Sequence, residues 1–568
     1  MSAGNVSLPR PDKWPSPRSF ERPCRSHRPA PSLALAEVTA GVIFEFDQIS
    51  TTELPSSDIV VVGGGPIGIV VAVQLARCGH EVVVLEAGGK TVEPTAQKLN
   101  ASINDGHSHN GLSEARIRVL GGNSIVWGGT LLPYTPIDFA QRDWVENSGW
   151  PLTLQELVPY YDRTAEFLGV EPGIGGDEEI WRRAHVAAPV LSDAIEIVLT
   201  RSLRERNLAR LFRNDLTGRS NLKLLLHAIA TDLVFDNITK CVKAVVIKSI
   251  NGREARLPAK HFVIACGTIE ATRLLLNSAQ NDREAPWGRN RWLGCCFQDH
   301  LEISAARLLR KRTETFDNIF DSILIAGQKY QPKLRLAERV QEMEGLLNIS
   351  GVMQFDSSLQ HHIDNVKLFV SSVLRGAVPP NLRTIPSHIR VLLKIWGPLI
   401  RRYFREHRIF NHSDMGIRLL INCEQVPLRE SAIRLDRERR DLLGMPAVRL
   451  DWRIDGREIN TIVRFCEIVR DAFEKTGIAD MQLHPKIATR DISILDECVD
   501  SYHQCGGLRM ASTFDGGVVD PHLRVHGTAN LHVAGAATFP TSGYANCTYT
   551  ALALALRLCD RVTSYRNA

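Results

Sequence analysis

Two stretches hold residues whose types and spacing could do chemistry. Residues 501–510, SYHQCGGLRM, place His503 ahead of the Gly506-Gly507 pair. An imidazole titrates near pH 6.5, which suits it to exchange protons at neutral pH. The spacing is neither a metal-ligand pattern nor an acyl-transfer elbow. Read alone, His503 is either a reactive group or a histidine that fits a turn. The second stretch, DIVVVGGGPIGIVVAVQLARCGHEVVVLEAGG from Asp58, carries Gly63, Gly65 and Gly68 as G-x-G-x-x-G, with Pro66 and Ile67 inside the motif. The first glycine permits a tight turn, and the second lets backbone approach a pyrophosphate. The third lets a helix pack closely on a strand.

These glycines need elements to hold them. The apolar run Ile59–Val62 reads as a buried parallel strand. A helix over residues 69–78 follows, its N-terminal N–H groups aimed at phosphates, and Gly79 ends it. Val82–Leu85 is the next strand. Glu86 closes that strand 18 residues beyond Gly68, where an acid accepts hydrogen bonds from ribose hydroxyls and disfavours a 2′-phosphate. The unit alone fits NAD or FAD. FAD is favoured because a second glycine-rich element, RIRVLGGNSIVWGGTLLPYTPIDF, follows with Gly121, Gly122, Asn123, Trp127, Gly128 and Gly129. Two glycine pairs around a short apolar stretch suggest backbone lying against a flat ligand.

At 568 residues, 44% hydrophobic and 23% charged, the chain fits two large globular domains. A formal charge of +5 does not argue for a nucleic-acid partner. The twelve cysteines form no CxxC pair or zinc spacing, so reduced thiols in a cytoplasmic protein are expected. No apolar run reaches the roughly 18–20 residues that span a bilayer. Residues 1–57 are rich in Pro, Arg and Ser and read as a disordered extension without a secretory signal.

HFVIACGTIEATRLLLNS (residues 261–278, with Gly267 between strand and helix), WLGCCFQDH (292–300) and GGVVDPHLRVHGTANLHVAGAATFPTSGYANCTYTALALALRLCDRV (516–562) resemble segments of the glucose–methanol–choline (GMC) flavin oxidoreductases. With the glycine cradle, the resemblance runs from about residue 58 to the C-terminus. It implies an α/β fold, in which a Rossmann-like FAD-binding domain carries a second, substrate-binding domain of mixed or antiparallel sheet plus helices. The FAD domain is expected over 58–300, with substrate-side insertions around 135–200, and again over 501–568. Residues 301–500 are expected to form the substrate domain. The segment 424–452 looks like the sugar-oxidising branch, which includes pyranose oxidases, glycoside oxidases and fructose dehydrogenase.

The resemblance assigns His503 as the catalytic base and Asn546, in GYANCTYT, as the group that positions the substrate alcohol. Asparagine donates and accepts but is no base, so the two roles separate. Asp520, Gly535, Ala536 and Thr548 match cofactor contacts. Where pyranose oxidases attach FAD covalently through a histidine, Val126 stands here, so non-covalent FAD is expected. His300 is expected to be structural, and His107 and His109 to lie in a polar loop. No metal is expected, because no carboxylate or cysteine cluster is evident beside the histidines.

The function implied is oxidation of a hydroxyl of a sugar, glycoside or aminoglycoside-like polyol, with electrons passing on to oxygen, a quinone or a redox protein. Alternatives are a sterol or other alcohol oxidase of the same family, a non-redox lyase in which FAD is structural, and a non-catalytic flavoprotein. Anaerobic bleaching of the flavin separates the redox readings from the lyase. Residues 375–408, with Arg375, Arg383, Arg390, Lys394, Arg401, Arg402, Arg405 and Arg408 against Glu406 alone, form a basic segment with helical apolar spacing. It reads either as a solvated face or homo-oligomer contact, or as a surface for a membrane or partner.

Overall fold

The computed structural model describes residues 42–50, 54–170, 176–374, 378–379 and 382–564. Its first layer is a six-stranded parallel sheet in the order Ile43–Glu45, Leu222–Leu226, Val82–Leu85, Ile59–Val62, His261–Ile264, Leu531–Val533. The central strands IVVV and VVVL are buried at every position, as a parallel sheet covered on both faces requires. Helix Pro66–Arg77 packs on one face beside helix Cys547–Ser564, which buries Leu552, Leu554 and Leu556. The first helix starts earlier than position 69. Pro66 stands in its first turn, where its fixed φ suits a helix and its missing N–H costs nothing.

The edge strand corrects one expected boundary. Ile43–Glu45 falls inside the stretch read as a disordered extension over 1–57, yet it pairs with Leu224–Leu226 and leads into Phe46, which is fully buried. The apolar residues of GVIFEF gain sheet hydrogen bonds and core burial there. Residues 1–41 and 51–53 lie outside the described residues.

The second layer is a nine-stranded, mainly antiparallel sheet whose principal path runs Ala479–Leu483, Leu301–Arg310, Gly416–Cys423, Ile349–Asp356, Gln328–Leu336, Ile195–Ser202, Thr130–Leu131. Helix Glu458–Thr476 covers one face, with Ile462, Phe465, Val469 and Phe473 in the core. The other face looks into a cavity shared with the first domain. Along Gln328–Leu336, burial alternates strictly: one set of side chains feeds the core, and from the other Gln331 and Lys333 line the cavity. Register places Glu302 beside Asn422 and Asn422 beside Ser350. A small sheet of Ala432–Arg440, Pro446–Asp451 and Ser102–Asn104 joins the two domains.

Candidate active site and cofactor cavity

A cavity of about 3720 Å³ runs from the glycine cradle to the substrate-side sheet. At one end, Gly63 turns the chain at φ +110°, and a side chain there would meet the Ala265 carbonyl at 2.7 Å. A Cβ at Gly68 would lie 1.9 Å from the Gly63 carbonyl oxygen, so the helix can seat on the turn only without one. Gly65 differs: a Cβ there would meet nothing within 4 Å, because the position opens onto the cavity. The helix that starts at Pro66 has no side-chain cap, which leaves its first-turn N–H groups for an anion.

Glu86 is buried at the cavity wall, its carboxylate accepting the Gly64 and Gly88 N–H groups at 2.9 and 2.8 Å. Burial pushes its pKa up to about 7 against those two bonds. The second glycine element lies directly on the cradle. The Gly121 N–H donates to the Gly64 carbonyl at 2.8 Å, and a Cβ on Gly122 would touch the Gly65 Cα at 2.9 Å. Asn123 spends its amide on the backbone of Ala115 and Ile117, and Trp127 donates to the Arg206 carbonyl. Gly63, Gly65, Pro66, Ile67, Glu86, Gly122, Asn123, Trp127, Gly128 and Gly129 line the cavity, as do Gly267, Gly535, Ala536, Asn546 and Thr548. Gly68 and Gly121 shape it by packing and do not line it. Asp520 is not brought to the cavity: its carboxylate caps a local turn by accepting the His522 and Arg524 N–H groups.

At the other end, His503 and Asn546 meet. Asn546 Nδ2 lies 2.7 Å from His503 Nε2, and His503 Nδ1 lies 2.6 Å from Ser501 Oγ. An amide nitrogen only donates, so Nε2 carries the lone pair and Nδ1 the proton, given to Ser501. Asn546 Oδ1 is buried with no hydrogen-bond partner among the described residues. The His503 ring stacks on His300 at 4.7 Å between centroids and 26° between planes. Burial lowers the pKa of His300, and its Nε2 donates to the Ser542 carbonyl at 3.1 Å.

Asp299 holds the turn that carries His503, a contact not expected from the sequence. Its Oδ1 accepts the His503 N–H at 2.9 Å and the Ser501 N–H at 3.3 Å, across Tyr502 at φ +64°. Its Oδ2 accepts from His109 Nε2 at 3.1 Å. His109, expected in a polar loop, is buried, with Asp500 Oδ2 at 3.7 Å from its Nδ1. Burial opposes both charges. The Asp299 carboxylate nevertheless raises the pKa of His109, and His109 holds Asp299 below the usual carboxylate range. The three side chains come within metal-ligand reach of one another; Asp299 is bonded to His109, and Asp500 accepts the Asn110 and Gly111 N–H groups. A second cluster is likewise not expected from the sequence. Arg116, Arg118 and Arg273 surround Glu270 at the cavity wall and keep it ionised despite its burial.

These residues fit FAD: open space over Gly65 at an uncapped helix start, an oriented acid at Glu86, and an orphaned acceptor at the far end of one continuous cavity. Comparison with known proteins agrees. Family profiles of GMC oxidoreductases match residues 197–302 and 427–555, and one described as pyridine nucleotide-disulphide oxidoreductase matches 29–115. A 2-methyl-1,2-propanediol dehydrogenase of Mycolicibacterium austroafricanum is 23% identical over 90% of this chain and 96% of its own. A paromamine 6'-oxidase of Streptomyces fradiae is 24% identical over 88% of this chain and 90% of its own. A fungal aryl-alcohol oxidase structure superposes with a TM-score of 0.55 at 17% identity, covering 90% of this chain and all of that one. The chain belongs to the GMC oxidoreductase family and is an FAD-binding oxidoreductase of alcohol- or sugar-like substrates.

Proposed function

We propose that the protein oxidises a hydroxyl of a sugar, glycoside, aminoglycoside-like polyol or related diol to a ketone or aldehyde, with His503 as general base and Asn546 orienting the alcohol. The observation that carries this reading is the 2.7 Å approach of His503 Nε2 and Asn546 Nδ2 on the cavity wall. Bound FAD supplies a hydride acceptor at flavin N5. An entering hydroxyl replaces the Asn546 amide as donor to the Nε2 lone pair, and the freed amide turns to the substrate oxygen. Ser501, as acceptor for Nδ1–H, keeps the lone pair on Nε2. Once His503 has taken the hydroxyl proton, the nearby Asp299 carboxylate balances its charge.

The cavity floor supports a hydroxyl-rich substrate over a sterol, which would call for a largely apolar pocket. Glu302, Ser304, Gln331, Lys333, Gln354 and Asn422 all line it. Lys333 is sequestered enough that burial pushes its pKa down to about 8, against the pull of Glu302. The named substrates of the two relatives, a diol and an aminoglycoside precursor, agree with such a floor. Val126 offers no nucleophile, so acid precipitation is expected to release the flavin into the supernatant. The substrate class is tested by anaerobic titration of the yellow protein with diols, sugars, aminoglycosides, sterols and simple alcohols. Bleaching by a diol or polyol is expected. Bleaching by sterols alone would overturn the substrate class, and bleaching by no hydroxyl compound would overturn the reaction.

A further inference from the structure

The second domain carries a helical cap that its sheet does not use. Helix Ile385–Leu392, the 3-10 turn Leu393–Ile395 and helix Trp396–Phe404 follow one another. They anchor through buried Ile385, His388 and Ile395, and through Arg402, which pairs with Asp321 and Glu406. In the last helix, Trp396, Leu399, Ile400, Tyr403 and Phe404 recur at i, i+3, i+4, i+7 and i+8. That spacing makes one apolar face, and a face of this kind normally points into a core. Here no residue of the helix is buried: Trp396 is 49% and Phe404 71% exposed. Ile389 and Leu393 of the preceding turns extend the exposed patch.

The residues that flank this stripe in the chain are cationic. Arg383, Arg390 and Arg405 are exposed, and among the described residues their side chains make no ion pair or hydrogen bond. Glu406 is the only acid between positions 382 and 408, and Arg401 and Arg402 already pair with it. We propose that this face docks the protein peripherally on an anionic lipid bilayer, with the aromatic and aliphatic stripe in the headgroup region and the arginines on the lipid charges. Large apolar patches mark interaction sites, and a basic amphipathic helix with Trp and Phe on its apolar side suits the interface plane. A second copy of the chain is the poorer occupant, because it would bring one set of flanking arginines against another. No helix among the described residues is long and apolar enough to cross a membrane, so the contact is superficial. Leu368, Val378 and Pro379 line the cavity just before the cap, so docking would set the cavity mouth beside the bilayer.

The test is co-sedimentation of the FAD-loaded full chain with vesicles of phosphatidylcholine alone, or mixed with phosphatidylglycerol. Pelleting with the mixed vesicles only, weakened by salt, is the expected result. Arg390→Gln with Arg405→Gln should reduce partitioning on the order of thirtyfold. Trp396→Ala with Phe404→Ala should reduce it at least about tenfold, with the flavin spectrum unchanged in both variants. The proposal is overturned if neither vesicle binds or if both bind equally. It is equally overturned by a lipid-free dimer that Trp396→Ala with Phe404→Ala abolishes.

Discussion

Two helical stretches of this chain are rich in apolar residues and meet opposite fates. Helix Cys547–Ser564 buries most of its length between helices Pro66–Arg77 and Leu154–Phe167, and its N-terminal end presents Asn546 and Thr548 to the cavity. Helix Trp396–Phe404 has no buried residue. Periodicity identifies a face but not what covers it. That is decided by where the rest of the chain places its sheets. The buried helix gives chemistry a rigid edge, whereas the exposed one gives the molecule a surface to dock with.

The contrast can be broken first at its buried side. Asp299→Asn removes one partner of a fully buried ion pair and should cost roughly 3–5 kcal/mol in unfolding free energy. Because pairing lowers the pKa of Asp299, its contribution is present above pH 3.8 and fades as pH falls. Because pairing raises that of His109, its contribution is present below pH 6.5 and fades as pH rises through the shifted value. Denaturation midpoints of wild type and variant should therefore differ most between these two values. A difference that does not vary with pH would reject the ion pair.

Gly68→Ala follows. Its Cβ would sit 1.9 Å from the Gly63 carbonyl oxygen, and about 3 kcal/mol of overpacking strain should be accompanied by loss of bound flavin. Retention of the yellow colour would show that the helix can shift off the turn.

Glu86→Gln tests the cradle through pH. A carboxyl whose folded pKa is raised from 4.5 to about 7 stabilises the fold below 4.5 and loses that contribution as pH rises through 7. FAD-free wild type should thus lose about 3 kcal/mol relative to the glutamine variant across that window. Parallel pH profiles of thermal unfolding would contradict the burial of Glu86.

The smallest effect is expected at the exposed side. Trp396→Ala with Phe404→Ala should change unfolding free energy by no more than about 0.5 kcal/mol per site. A larger loss would mean that the cap packs against something in solution.

What the sequence made legible follows the range of the interaction. The cradle, Glu86 and the second glycine element are local patterns whose spacing carries their geometry, and they converge on one cavity. Asp299 and His109 were not readable in this way. They are 190 residues apart, and nothing near His109 in the chain announces a carboxylate. The edge strand Ile43–Glu45 was hidden by the Pro- and Arg-rich run before it, because three paired residues carry too little pattern. The polar floor was equally unreadable, since its residues come from different strands and share a face only after the sheet has formed.

The central claim is that His503 accepts the hydroxyl proton. Its most direct test is anaerobic stopped-flow reduction of the FAD-loaded His503→Ala variant by whichever diol or polyol bleaches the wild type. The variant should bind FAD and fold normally, yet its flavin should reduce roughly 10²–10⁴-fold more slowly. Reduction at close to the wild-type rate, with FAD bound, would contradict the assignment.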